Sequence, residues 1–131
     1  MFRKNIIPLL VILLLLSACS NYKTRVYKGE TSDWKADYVY KETSTKGYEY
    51  IFQLTYKNDV SGLSELKDFT IKFKAGSGET GGTLPISILK NGAFTSSGAY
   101  EGTSLLREDS QIKVYVNWGT NEDSFVLEYN D

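Results

Sequence analysis

The chain carries one thiol and no imidazole. Cys19 is the only cysteine among 131 residues and histidine is absent, which excludes imidazole general bases, His-containing triads and His-ligated metals. An intrachain disulfide and a multi-cysteine zinc site are excluded as well. Acid–base chemistry would fall to carboxylates, of which Glu108-Asp109 and Glu122-Asp123 are adjacent pairs near Ser110, Asn121 and Asp131. Such oxygens suit a hard cation, or a glycosidase pair held at the right separation. No spacing resembles a calcium loop, however, and acids in solvated turns are commonplace. The expectation is therefore no metal, no cofactor and no assigned catalytic residue, with the enzyme reading the weaker one.

Two further patterns invite a chemical reading. Gly76-Ser77-Gly78-Glu79-Thr80-Gly81 matches the glycine pattern of a phosphate loop, but such a loop needs a helix N-terminus directly after it. Gly82-Thr83-Leu84-Pro85-Ile86 reads instead as a strand, so the glycines are expected to form a flexible hairpin loop. The aromatic residues Trp34, Tyr38, Tyr40, Tyr48, Tyr50, Tyr56 and Trp118 would be good platforms for sugar rings or peptide side chains if exposed. Period-2 alternation turns most of them inward, to a core. Trp34, Tyr115 and Trp118 are retained as candidate ligand-contacting aromatics.

The thiol has its own context. Arg3 and Lys4 precede an apolar run from Ile6 to Leu16, and small residues follow, the tripartite form of an export signal. At about 1.5 Å per residue, eleven residues span only about 16 Å, too little for a lasting transmembrane helix. Leu16-Ser17-Ala18-Cys19 looks like the lipobox of bacterial lipoproteins, in which the Cys thiol takes a diacylglyceryl group and the leader is cut between Ala18 and Cys19. Residues 1–18 are thus expected to be a lipoprotein signal peptide and 19–24 the lipidated cysteine with a short tether. Residues 25–131 form the folded domain. Without Arg3 and Lys4 the chain has 13 basic and 16 acidic side chains, a formal charge of -3. It lacks the basic footprint of a nucleic-acid binder, and it would gain no electrostatic adhesion to an anionic membrane.

The elements that must position these residues read as strands. Alternation over Trp34–Glu42 and Tyr48–Lys57, across a polar turn at Thr43–Gly47, predicts a hairpin with one aromatic face. Arg25–Lys28 reads as a first short strand. Asp68–Ala75 alternates Phe69, Ile71 and Phe73 inward, with Lys72 and Lys74 outward as edge-protecting charges. Leu84–Leu89 reads as a strand weakened by Pro85, Asn91-Gly92 as a tight turn toward Ala93–Ser96, and Ser97–Asp109 as mostly loop. Residues 58–67 are expected to be a loop with one helical turn at Leu63–Leu66. Ile112–Trp118 and Asp123–Tyr129 form a second clear hairpin. Seven to eight short strands predict an all-β fold, a small antiparallel β-sandwich of immunoglobulin-like arrangement, with a small β-barrel as the alternative.

The lipobox, Tyr27-Lys28-Gly29-Glu30-Thr31-Ser32-Asp33-Trp34-Lys35, Gln53-Leu54-Thr55-Tyr56-Lys57-Asn58-Asp59 and Val114-Tyr115-Val116-Asn117-Trp118, followed by Glu122 and Phe125-Val126-Leu127, together resemble small uncharacterised lipoproteins of Bacillus-type Firmicutes. The resemblance implies a membrane anchor through lipid on Cys19, an extracytoplasmic location and an all-β ectodomain; it implies no catalytic residue. The expected role is a binding or interaction module at the cell envelope, its partner a cell-wall component or an envelope protein. A carboxylate-dependent hydrolase of cell-wall glycan and a passive structural envelope protein are the alternatives.

Overall fold

A computed structural model describes residues 23–44, 46–76, 78–89, 91–101 and 105–130. Cys19, Ala18 and the leader lie outside them. Eight strands follow one another: β1 (Thr24–Glu30), β2 (Trp34–Ser44), β3 (Gly47–Tyr56), β4 (Asp68–Ala75), β5 (Gly78–Pro85), β6 (Ala93–Glu101), β7 (Ile112–Trp118) and β8 (Asn121–Tyr129). All pairings are antiparallel, and the all-β fold expected with seven to eight strands is adopted with eight. The strands form one sheet in the order β5-β4-β7-β8-β1-β2-β3-β6.

The sheet curls so that its two halves face each other. β6-β3-β2-β1 makes one layer and β8-β7-β4-β5 the other. They are joined at a narrow seam where Tyr27 pairs with Tyr129 and Lys28 with Glu128. Alternation dictates the inner face: β2 from Trp34 to Tyr40 and all of β7 bury every second residue. Large rings then bridge the layers. Trp34 meets Trp118 edge-on at 5.3 Å, Phe52 stacks on Phe73 at 4.2 Å, and Phe69 meets Phe94 at 6.1 Å. Aromatic pairs of this geometry add about 0.5–1.5 kcal/mol each beyond the area they bury.

Several segments differ from the sequence expectation, each for a physical reason. The glycine-rich stretch is mainly strand, because β5 needs only its backbone to pair with β4 from Ala75↔Gly78 to Asp68↔Pro85. Leu84–Leu89 is not a separate strand: Leu84 and Pro85 are the end of β5. β5 stops at Pro85, which has no N–H to donate, and Ile86–Ile88 forms a 3₁₀ turn. The helical turn near Leu63 is a 3₁₀ turn at Val60–Leu63, capped by Asp59 accepting from the Ser61 backbone N–H. Ser97–Glu101 is strand rather than loop: in β6 the small residues Ser96 and Gly98 stand opposite Phe52 and Tyr50, so bulk on β3 is matched by its absence on β6. Asn91 and Gly92 take positive φ of 53° and 78°, the conformation the tight-turn reading requires.

Register places both chain ends of the domain together. Thr24, the β2–β3 turn, the β4–β5 turn, the start of β7 and the end of β8 share one end of the sandwich. The connection after β6 closes that end with Leu106, which is buried. It is tied down by Arg25, whose Nη1 donates to the Leu106 carbonyl at 2.6 Å, and by the Tyr27 hydroxyl, which donates to the Arg107 carbonyl at 2.6 Å.

Candidate functional site

The curled sheet leaves one side unsewn. β5 and β6 are its two edges, and an edge strand presents unpaired N–H and C=O groups. Between them, toward the end at which the chain enters, lies a cleft of about 110 Å³ lined chiefly by Tyr38, Tyr48, Tyr50, Tyr100 and Phe73, with Thr80 at its mouth. Alternation along β2 and β3 aims the first three rings into the sandwich, and the β3–β6 register sets Tyr100 opposite Tyr48. Glycine makes the room: a Cβ at Gly98 would stand 2.8 Å from the Tyr50 hydroxyl.

The rings fall into two neighbouring sets. Tyr38 and Tyr50 stack with centroids 5.3 Å apart and planes 9° from parallel. Tyr40 lies 4.7 Å from Tyr48, which lies 5.3 Å from Tyr100. Burial pushes the Tyr38 phenol far above its ordinary range, and the Tyr48 hydroxyl beside it adds to the shift. Tyr48 is also raised by burial. Tyr40 is raised by burial first and then by its hydrogen bond to Glu42, whose Oε1 accepts at 2.9 Å. Tyr27 is raised by burial too, against the opposing pull of Arg25. These hydroxyls stay protonated at neutral pH. Tyr38 and Tyr48 therefore present neutral phenols to the cleft.

The candidate residues fall in different places. Trp34 has no exposed surface and Trp118 is only 5% exposed. Both belong to the inter-layer core, and the Trp34 indole Nε1 is buried without a hydrogen-bond partner. Tyr115 is on the outer face of β7, its hydroxyl donating to Glu122 at 3.1 Å and accepting from Asn117 at 3.4 Å. The structure brings Trp34 and Trp118 together in the core and leaves Tyr115 on the other face of the layer. The carboxylate pairs do not converge. Glu122 and Asp123 begin β8 at one end, where Asp123 accepts from Thr31 at 2.8 Å, while Glu108 and Asp109 lie in the connection at the other, with Asp109 beside Arg107 at 3.9 Å. Among the described residues no group of three or more Asp, Glu or Cys gathers at metal-binding distance.

Sequence reasoning missed Tyr100, because the surrounding Gly and Ser residues read as loop. Its signal was present as alternation of Phe94, Ser96, Gly98 and Tyr100, in which the small members hid the period. No family model matches the chain, and no curated protein or solved structure matches it.

Proposed function

We propose that this chain is a lipid-anchored, extracytoplasmic binding module of the cell envelope, akin to the small Firmicutes lipoproteins its motifs resemble. In this reading the leader is removed, Cys19 carries the lipid, and the short tether holds the β-domain near the bilayer. The domain engages an extended segment of an envelope protein at the open side of the sheet. One observation carries the binding role: the sheet's two edge strands, unpaired among the described residues, flank a tyrosine-lined cleft. An added strand would gain backbone hydrogen bonds from an edge, and the cleft would take one of its side chains. Neutral tyrosines without a converging acid or nucleophile favour capture over catalysis.

The reading is tested on intact cells by chemical cross-linking combined with membrane fractionation. The wild-type chain is expected to fractionate with membranes, incorporate a lipid label and cross-link to a discrete partner. Cys19→Ala should lose the label and the membrane association, and Tyr100→Ala should keep both while losing the cross-link. A Cys19→Ala chain that still takes up the label, or a cross-link indifferent to Tyr100, contradicts the corresponding half of the proposal.

A further inference from the structure

The outer face of the β8-β7-β4-β5 layer carries a second feature, built from Lys72, Lys74 and Lys113. Guarding a sheet edge does not explain the first two, since β4 is an interior strand between β5 and β7. Lys74 stands directly opposite Lys113, and Lys72 directly opposite Tyr115. Like charges directly opposite each other on one face destabilise a sheet, yet none of these three lysines makes an ion pair within 4.0 Å among the described residues. The acids nearby do not cancel them. Glu79, opposite Lys74 on β5, is the only acid among the described residues that line the groove these lysines share, and Glu122 lies outside that lining, accepting from the Tyr115 hydroxyl. On a domain of net negative charge, the fold therefore concentrates three cations around one acid.

The surface between them is concave. A groove of about 330 Å³ runs across β5, β4, β7 and β8 past Lys72, Lys74, Glu79, Lys113, Tyr115 and Ser124. On the β5 side Lys72 faces Gly81, so no side chain walls off that approach. The lysine Cα positions lie about 5 Å apart across the strands and about 7 Å apart along them, and their flexible stems let the ammonium groups meet successive phosphates on short polyol linkers. The geometry points to a linear phosphodiester polymer as the occupant of this groove. A single flexible chain follows a groove, whereas a planar bilayer would meet only the lysine tips. Tyr115 supplies a ring and a hydroxyl on the floor for the uncharged linker. This surface is separate from the tyrosine cleft and does not depend on the lipid attachment.

The test uses the full purified chain in nonionic detergent, with per-lysine amine acylation read by mass spectrometry. A synthetic poly(glycerol phosphate) oligomer is expected to protect Lys72, Lys74 and Lys113 while leaving Lys35 and Lys57 as reactive as before. Replacing Lys74 and Lys113 together by Gln should weaken binding on the order of tenfold and flatten the log–log salt dependence by about 1.4. Lys113→Glu should abolish binding yet hold or raise Tm, because it turns a like-charge pair into an opposite one; a merely structural role would not move the two readouts apart. The proposal is overturned if the oligomer gives no protection, or if inorganic phosphate at matched phosphate concentration protects equally. Equal protection by phosphatidylcholine vesicles containing phosphatidylglycerol, with no oligomer present, would assign the face to a membrane surface and likewise overturn it.

Discussion

Arg25 is the one charged side chain buried among the described residues, at 8% exposed. Its guanidinium donates to the Leu106 carbonyl, lies 4.0 Å from Glu42 and sits 5.8 Å from the centre of the Tyr40 ring. Alternation marks Arg25 as an inward position of β1, in register with Tyr27, but a sequence cannot supply the carbonyl that satisfies it. That carbonyl comes from eighty-one residues downstream. Arg25→Met keeps the apolar stem and removes the donor, leaving the Leu106 carbonyl unpaired. The expected cost is about 1–3 kcal/mol, read as a lower urea midpoint with an unchanged slope. A wild-type midpoint would mean that water satisfies the carbonyl and that the tie is dispensable.

At the scale of elements, β2, β3, β4, β7 and β8 were legible because each alternates large apolar and polar residues. β5 and β6 were not, because their partners carry the bulk. β5 spends three of its eight positions on glycine, and one of these is obligatory. Gly81 has φ of +150°, and a Cβ there would stand 2.0 Å from the Ile71 carbonyl oxygen. Gly81→Ala should therefore destabilise the domain by about 2–3 kcal/mol and lift the β5 edge from β4. Amide hydrogen exchange checks this: protection should fall along β5 and β4 while β2 and β3 keep theirs. Equal loss across all strands would show that β5 does not open separately.

The whole molecule is a sandwich with four tyrosines, Tyr27, Tyr38, Tyr40 and Tyr48, in its buried core, and they set its response to alkali. Tyr27, Tyr38, Tyr40 and Tyr48 are all raised in the fold, burial being the largest cause. The unfolded chain loses those protons from about pH 10, while the folded chain keeps them. Stability is thus complete below about pH 10 and falls as pH rises from there toward the higher folded values, since the native state then binds more protons than the unfolded one. Phenolate absorbance of the buried set and loss of strand circular dichroism should appear as one cooperative step. Phenolate formation from these residues well before strand loss would show that the cleft admits hydroxide without unfolding.

The amino-acid sequence by itself determined which residues could face inward, because a strand's side chains alternate with a strict period of two, and the clear runs of β2, β3, β4, β7 and β8 were enough to determine an all-β domain. It also excluded imidazole chemistry and an intrachain disulfide through composition alone. Only the tertiary structure decided that β5 and β6 are the free edges, that Trp34 and Trp118 meet in the core, and that Tyr100 joins Tyr38, Tyr48 and Tyr50 at one cleft. It likewise placed Lys74 against Lys113 on interior strands. Strand order is set by contacts between segments far apart in the chain, and no local period encodes which edge will remain unpaired.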